Sequence, residues 1–460
     1  MWLSLKYILE SVQGTLLSGD VNAWVEGIST DSRRYDPKQV FFALEGENFD
    51  GHDYVNQLIE TGAAAVVVSK PDKISSFGST AVIVVRDTLQ ALQSLAAGFR
   101  HRFDIPVVAV TGSVGKTTTK DMLAACLAPV YNTLKTPGNF NNEIGLPLTL
   151  LSLNDSHQAA VVELAMRARG EIVRLSAILR PTHAIITNVE AVHLETMGSL
   201  ENIAAAKCEV LEFISPDKFV LMNGDNHYLL EAAQKYPCIK HTFGYNDGCD
   251  VRIIQVAKSG AGINISLSLW GQKHDFYFPL PAPQLAPNLA AAVGCAFLLG
   301  VSPAIIHQGL SSYQTAENRL NIIELPEGGA VINDTYNANP VSMTAAIEVC
   351  REISMNRRAV ATLGDMLELG DFEKEGHLLV GRRAAQLNMD LIVTLGERAA
   401  YIAEGAIEAG LPAERVVSFT KREDALEWLR RNVSRRDVVL FKGSRGMRME
   451  EILQGWLIPA

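Results

Sequence analysis

Largely apolar runs of four or five residues recur along the chain, separated by stretches whose apolar positions follow the helical period. Residues 107–110, 159–162, 183–187 and 218–222 are such runs. A strand buried on both faces shows no polar alternation, so the pattern predicts a parallel sheet covered by helices. It returns at residues 331–333, 360–363, 391–395, 416–418 and 438–441, which predicts a second doubly wound sheet. Residues 251–278 differ, because polar and apolar positions alternate as in antiparallel strands, before an alanine-rich helix over 288–299. Ahead of these, strands at 40–44, 64–68 and 81–85 mix with helices near 52–61 and 88–102. Pro106 disfavours helix at Ile105, so a boundary is expected near residue 103.

The run at 107–110 leads into Thr111-Gly112-Ser113-Val114-Gly115-Lys116-Thr117-Thr118 and then a helical stretch. A buried strand, a glycine turn and a helix start gather backbone N–H groups around one anion. Lys116 can then reach outer phosphates, and the Thr117 hydroxyl can ligate Mg²⁺. The usual loop has glycine six residues before its lysine; here that residue is Val110, and Gly112 stands four before it. The loop is a shortened variant, and a nucleoside triphosphate is the expected ligand.

Other candidate groups cluster at predicted strand ends. Glu163 closes the run at 159–162 and would face the phosphate loop, either as an oxygen ligand for Mg²⁺ or as a helix N-terminal charge. Residues 200–214 carry one helical apolar stripe, Leu200, Ile203, Val210 and Ile214, and Lys207 falls within it. Snorkelling is the ordinary explanation for such a lysine. Alternatively, burial lowers its pKa, and the neutral amine captures CO₂ as a carbamate that holds a second metal ion. His193 could supply a nitrogen to the same ion. Asn139, Asn141 and Asn142 lie in a polar cluster over 136–145 that suits sugars and phosphates, or is simply a turn-rich loop. In the last third, turns at 333–340, 363–370 and 442–446 each follow a predicted strand and should converge on one crevice, with His377 beyond the second. Lys442 and Arg445 would suit a carboxylate or phosphate there.

Bulk properties narrow the class. A chain of 460 residues exceeds one ordinary core, so two or three domains are expected. With 51 acidic against 41 basic residues the net charge is −10, which argues against broad nucleic-acid binding. The six cysteines have no metal-like spacing and are expected as reduced thiols. No signal peptide and no membrane span is expected, and the protein is expected to be cytoplasmic.

Together these residues resemble the Mur ligase family of ATP-dependent amide-forming enzymes. The phosphate loop carries the family resemblance. Segments 138–147, 334–340, 363–370 and 442–445 point to the member that adds a dipeptide. The resemblance implies an α/β protein of three domains: a small α/β UDP-substrate domain over 1–103, a central P-loop parallel-sheet ATPase domain over 104–317, and a Rossmann-like domain over 318–460 that binds the incoming dipeptide. It implies ATP and two Mg²⁺ ions, with Thr117, Glu163, His193 and a CO₂-derived carbamate on Lys207 as metal ligands. Gly112, Ser113, Val114, Gly115, Lys116, Thr117 and Thr118 would hold ATP, with Asn288 at adenine and Arg319, Asp334 and Tyr336 on the nucleotide side of the cleft. Lys116, Glu163, His193 and Lys207 would carry catalysis. Thr30, Ser32, Arg33, Phe42, Gly46, Asp50 and His52 would bind the UDP-sugar end. Asn139, Asn141, Asn142, Lys442, Ser444 and Arg445 would complete substrate binding, the last three at the carboxylate end.

The implied partners are a UDP-N-acetylmuramoyl tripeptide and D-alanyl-D-alanine, joined through an acyl phosphate by a monomer without nucleic-acid or membrane partners. Four positions depart from the pattern: Gln284-Leu285 replaces a frequent His-Asn, Asn318 a common glycine, and Val114 a frequent polar residue. The rivals are another Mur ligase, a folylpolyglutamate synthase, or a non-catalytic nucleotide-binding relative.

Overall fold

The apolar runs assemble into three large sheets, beside a two-stranded pair of Trp2–Ser4 with Trp24–Glu26, in a computed structural model that describes residues 1–46, 48–190, 194–260, 262–315 and 317–458. The first sheet has five strands, ordered Thr15–Ser18, Ala81–Val84, Ala65–Val68, Val40–Phe42 and Ile28–Ser29. Only Thr15–Ser18 runs antiparallel to its neighbour. The expected helix at 52–61 is a tight 3-10 turn, Gly51–Tyr54, followed by the α-helix Val55–Glu60.

The second sheet has nine strands. Thr133–Lys135 lies at one edge, followed by Ala159–Glu163, Val107–Thr111, His183–Ile186, Phe219–Asn223, Ile239–Gly244 and Val251–Ser259, all parallel. Gly262–Leu269 and Gln272–Phe278 then add the expected antiparallel meander. After Val107–Thr111 the chain crosses to the edge strand Thr133–Lys135 and returns to Ala159–Glu163 on one side, and from His183 onward it builds outward on the other. The phosphate loop therefore opens at the topological switch point, where such sheets leave a crevice. Thr133–Lys135 and Ile239–Gly244 escaped the sequence reading because the former is three residues long and the latter is half exposed.

The third sheet has six strands, ordered Asn321–Glu324, Ala330–Asp334, Val438–Lys442, Ala359–Gly364, Leu391–Leu395 and Val416–Phe419. Its first strand is antiparallel and the rest are parallel.

The first two sheets are not independent bodies. One continuous apolar cluster joins Val40, Val67 and Ile83 of the first sheet to Val107, Ala160 and Ile186 of the second. The amphipathic helix Thr88–Arg100 is the shared layer, with Leu92, Leu95, Ala96 and Phe99 buried in that cluster. The third sheet has its own two cores, and Ala282 from the second body joins one of them. Among the described residues, polar contacts across this junction include Lys258 to Glu352 at 3.1 Å, Arg167 to Glu368 at 3.7 Å, and Gln284 Nε2 to the Ala345 carbonyl at 3.3 Å. These pairs are worth little individually. Among the described residues, no helix is long and apolar enough to cross a membrane. All six cysteines are free thiols.

Candidate active site

The phosphate loop has the backbone its glycines foretell. Gly112 has φ 146° and Gly115 has φ 82°, the latter standing immediately before the helix Lys116–Leu127. Both are also crowded. A Cβ on Gly112 would lie 1.9 Å from Thr187 Oγ1, and one on Gly115 would lie 2.1 Å from Asn288 Nδ2. The neighbouring strand end completes the cradle. The Ser113 N–H donates to the Asn188 carbonyl at 3.0 Å, the Val114 N–H to Asn188 Oδ1 at 2.9 Å, and Thr187 Oγ1 to the Val114 carbonyl at 2.7 Å. Replacing Gly115 by alanine should weaken ADP binding at least about ten-fold, since a left-handed alanine and a displaced Asn288 both oppose the loop. Titration calorimetry with ADP checks this; unchanged affinity would show that the loop geometry is not what holds the nucleotide.

Lys116 folds back over the loop, donating to the carbonyls of Gly112 at 2.9 Å and Ser113 at 3.1 Å. Burial lowers its pKa, Glu163 opposes that shift and Arg319 reinforces it. Glu163 is 2 % exposed yet fully engaged. Its Oε2 accepts from the Thr117 hydroxyl at 2.7 Å, and its Oε1 accepts from Asn141 Nδ2 at 2.7 Å. Its own N–H is held by Thr136 Oγ1 at 2.9 Å, and Lys120 pins the Thr136 carbonyl at 2.9 Å. The asparagine cluster is therefore an ordered loop rather than a slack turn, with Asn142 Oδ1 accepting from the N–H groups of Ile144 and Gly145.

Lys207 is 2 % exposed on the helix Leu200–Cys208, so it does not snorkel. Burial pushes its pKa well below the ordinary lysine value, and the positive charge of Lys116 adds to the shift. Among the described residues no carboxylate pairs with it. The single helix expected over 200–214 ends at Cys208 and tightens into the turn Glu209–Phe213. At that turn a contact distant in sequence is made: the Glu209 carboxylate accepts from the N–H groups of Gly170 and Val173, capping the helix Glu171–Leu179. His193 lies outside the described residues.

Two cavities meet at this point. One, of about 520 Å³, is lined by Ser113, Val114, Gly115, Lys116, Thr117, Thr118 and Glu163, by Asn288 and Gln284-Leu285, and by Arg319, Asp334 and Lys442. The other, of about 550 Å³, shares Lys116, Glu163 and Arg319 and continues past Asn139, Asn141, Asn142, Tyr336, Ser444 and Arg445. The shared residues form the wall between a nucleotide-sized chamber and a second chamber. Asn288 Nδ2 donates to Thr119 Oγ1 at 3.0 Å, and the Arg319 guanidinium sits 4.0 Å from the centre of the Tyr336 ring.

The three turns of the third sheet converge as their position at strand ends requires. The Ser444 N–H donates to the Asp365 carbonyl at 2.9 Å, and the Leu367 N–H donates to Ser444 Oγ at 2.8 Å. His377 is buried, which lowers its pKa; its Nε2 accepts from the Met366 N–H at 3.0 Å. Lys442, expected at the substrate carboxylate, instead lines the nucleotide chamber and donates to Asp334 Oδ2 at 2.6 Å and the Asn337 carbonyl at 2.9 Å. Tyr336, expected on the nucleotide side, lines the second chamber. Arg445 reaches that chamber but pairs with Glu450 at 2.7 Å.

The first-sheet residues line neither chamber. Phe42 is wholly buried in the shared core, so its ring is unavailable to a ligand. His52 is also buried: Nδ1 donates to Asp50 at 2.6 Å and Nε2 accepts from the Ser69 N–H at 2.9 Å. Burial alone would raise the Asp50 pKa, but hydrogen bonds from Lys70, Lys73 and His52 outweigh it and hold the carboxyl well below its usual range. Arg33 is clamped by Asp31 through both carboxylate oxygens, at 2.8 and 2.9 Å. Thr30 and Ser32 are half-buried and Gly46 is exposed. Arg167, Arg174, Glu171 and Glu368, which sequence reasoning passed over as site residues, line the second chamber. The rule that ligands gather at strand carboxyl ends would have found Arg167, four residues beyond Glu163.

Comparison with known proteins agrees with this arrangement. Family models match the Mur ligase family catalytic domain over residues 25–100, the Mur ligase middle domain over 110–296 and the Mur ligase glutamate ligase domain over 318–445. The UDP-N-acetylmuramoyl-tripeptide--D-alanyl-D-alanine ligase of Bacillus subtilis (strain 168) is 38 % identical over 456 residues, covering 98 % of this chain and 97 % of the relative. The enzyme of that name from Escherichia coli (strain K12) is 33 % identical over 456 residues and 98 % of each chain. A crystal structure of MurF from Acinetobacter baumannii superposes with a TM-score of 0.89 at 34 % identity over 99 % of both chains. MurF ligase from Thermotoga maritima in complex with ADP gives 0.79 at 28 % identity, covering 94 % of this chain and 97 % of that one. A Mycobacterium tuberculosis folylpolyglutamate synthase gives 0.63 at 16 % identity, a likeness of fold alone. Matches to all three domain types, in the order of the three sheets and spanning nearly the whole chain, establish that this chain belongs to the Mur ligase family.

Proposed function

We propose that this chain joins D-alanyl-D-alanine to a UDP-N-acetylmuramoyl tripeptide at the expense of ATP, forming the pentapeptide precursor of peptidoglycan. The observation that carries the reading is the shared wall: Lys116, Glu163 and Arg319 border both chambers, so a γ-phosphoryl group in one faces a carboxylate in the other. Relatives bearing that activity in their names, at 38 % and 33 % identity over nearly the full length, support the choice of substrates.

A free carboxylate is a poor electrophile, because an oxide would have to leave. One carboxylate oxygen of the tripeptide attacks the γ-phosphorus, the bond to the β,γ-bridging oxygen breaks, and ADP departs. The dipeptide amine then attacks the acyl carbon and loses a proton. Phosphate leaves, carrying the oxygen that came from the acid. Lys116, released from the loop carbonyls, and Arg319 place positive charge where the transferring group gains negative charge. Holding both reactants across one wall removes the entropy cost of a chance encounter. Closure of the third sheet's body over the wall would keep water from the acyl phosphate.

The donor set fits a hard cation. The Thr117 hydroxyl and the Glu163 carboxylate would hold Mg²⁺ beside the phosphates. When bound, such an ion neutralises phosphoryl charge. Lys207 is the finer part of the proposal: a buried amine kept neutral can take up CO₂ and become an anionic oxygen donor for a second ion. The chain would act as a cytoplasmic monomer.

Oxygen-18 placed in the terminal carboxylate of the tripeptide should appear in released phosphate, one atom per amide bond formed. Amide formation with unlabelled phosphate would overturn the acyl-phosphate route. ATP cleavage indifferent to D-alanyl-D-alanine would instead favour a different acceptor.

A further inference from the structure

Two non-glycine residues flank Arg319 in the left-handed backbone region, Asn318 at φ 61° and Leu320 at φ 45°. Asparagine tolerates that conformation, but a bulky leucine does not, and it persists only where its surroundings over-determine it. Here the surroundings are the end of the strand Ala330–Asp334 and the turn beyond it. The Tyr336 N–H donates to the Asn318 carbonyl at 3.1 Å, and Asn333 Nδ2 donates to Asn318 Oδ1 at 2.8 Å. The Leu320 N–H donates to Asp334 Oδ1 at 3.1 Å, while Lys442 holds the other oxygen of the same carboxylate at 2.6 Å. The Asn333 amide is oriented in turn by the Thr335 hydroxyl, which donates to its Oδ1 at 2.8 Å. Immediately after the kink the chain enters the edge strand, with Asn321 opposite Asn333.

The consequence is directional. With both neighbours turned left-handed and tied down, Arg319 projects from the kink over the Tyr336 ring and borders both chambers. Asn333 lines neither chamber, yet its amide holds the Asn318 side chain at the kink. Building on the ligase reading above, we propose that the Asn318–Asn333 amide pair, buttressed by Asp334 and Lys442, fixes the reach of Arg319 for phosphoryl transfer. Asn333 is thus a positioning residue for the reaction.

The test is a cycle of Asn333→Ala, Asn318→Gly and the double variant, each assayed for kcat and for KM of ATP. Loss of Asn333 leaves the Asn318 amide unsatisfied and the kink loose; kcat should fall roughly ten-fold with KM for ATP changed less than about two-fold. Glycine takes a φ of 61° freely and has no amide to satisfy. The double variant should therefore recover to within about three-fold of the parent, a non-additivity that independent sites do not show. Asn333→Asp, of the same size but presenting an acceptor, should behave as Asn333→Ala does and covers the case in which that variant folds poorly. Hydrogen exchange at the Leu320 amide supplies a readout independent of turnover: slow in the parent, fast in the single variants at 333, slow again in the double. Unchanged kcat at Asn333→Ala, or a double variant no better than the single, overturns the proposal. Slow Leu320 exchange in a parent chain that forms no amide bond overturns the ligase reading alone. Fast exchange in an active parent overturns the clamp alone.

Discussion

Replacing Lys207 by methionine should make the protein more stable and stop its reaction. The side chain is 2 % exposed, and among the described residues no carboxylate neutralises it. Burial and the charge of Lys116 hold its pKa well below that of a free lysine. In the unfolded chain the amine binds a proton at neutral pH; in the folded chain it binds that proton less tightly. The unfolded state therefore binds more protons across the window from the depressed pKa up to about 10.4. Lys207 thus costs stability throughout that window, and the cost shrinks as pH rises. A methionine of similar shape removes it and should stabilise the fold by roughly 1–3 kcal/mol near neutral pH, with the gain narrowing toward alkaline pH. Turnover should fall about a thousand-fold or more, equivalent to ~4 kcal/mol of barrier, because the anionic donor the amine would become is gone. Lys207→Ala should be equally inactive but leave a space in which formate or acetate restores part of the rate. Denaturant midpoints and ADP release measure the two halves. A methionine variant that is active, or an inactive alanine variant indifferent to short acids, would reduce Lys207 to a packing residue.

The amine also shows where sequence reasoning stops. Its place in an apolar stripe was visible, but a stripe cannot say whether a lysine's tip escapes to water. That is decided by packing between distant segments, as where Glu209, just past the Lys207 helix, caps the helix Glu171–Leu179 through contacts between residues 36 and 39 apart. Elements buried on both faces were legible almost to the residue, as with Leu391–Leu395, because burial alone dictates their composition. The edge strands Thr133–Lys135 and Asn321–Glu324 were not, since half-exposed residues carry no such constraint. In the site, strand-end position brought Glu163 to Thr117 of the phosphate loop as expected, while Asn141 joins them from a loop that strand-end reasoning did not place there. It did not separate the two chambers: Lys442 and Asp334 formed an ion pair on the nucleotide side, which removes the lysine from the free cations of the second chamber. Charge type was readable in the chain, but pairing was decided by strand order, which set Val438–Lys442 directly beside Ala330–Asp334.

Glu163 offers the second large effect, and its neighbours make the result specific. The carboxylate lies between two donors, the Thr117 hydroxyl and the Asn141 amide, each at 2.7 Å. Glu163→Gln keeps the volume, and the threonine hydroxyl can turn to accept from the new amide, so the fold should survive with a denaturant midpoint close to the parent's. What is lost is the negative charge. A neutral amide is a far weaker partner for a hard dication than a carboxylate, so kcat at fixed Mg²⁺ should drop roughly a thousand-fold, again ~4 kcal/mol. The Mg²⁺ dependence should move to higher concentration in parallel. Asn141→Ala removes only the donor that aims the carboxylate, and outer groups of that kind typically contribute about 10–100-fold to metal affinity or rate. Its loss should therefore be smaller and should be overcome in part by raising Mg²⁺. The order of the two variants decides the assignment. If Glu163→Gln kept the parent's Mg²⁺ curve while Asn141→Ala did not, the carboxylate would be a scaffold for the asparagine loop, and the cation would have to be held elsewhere along the shared wall.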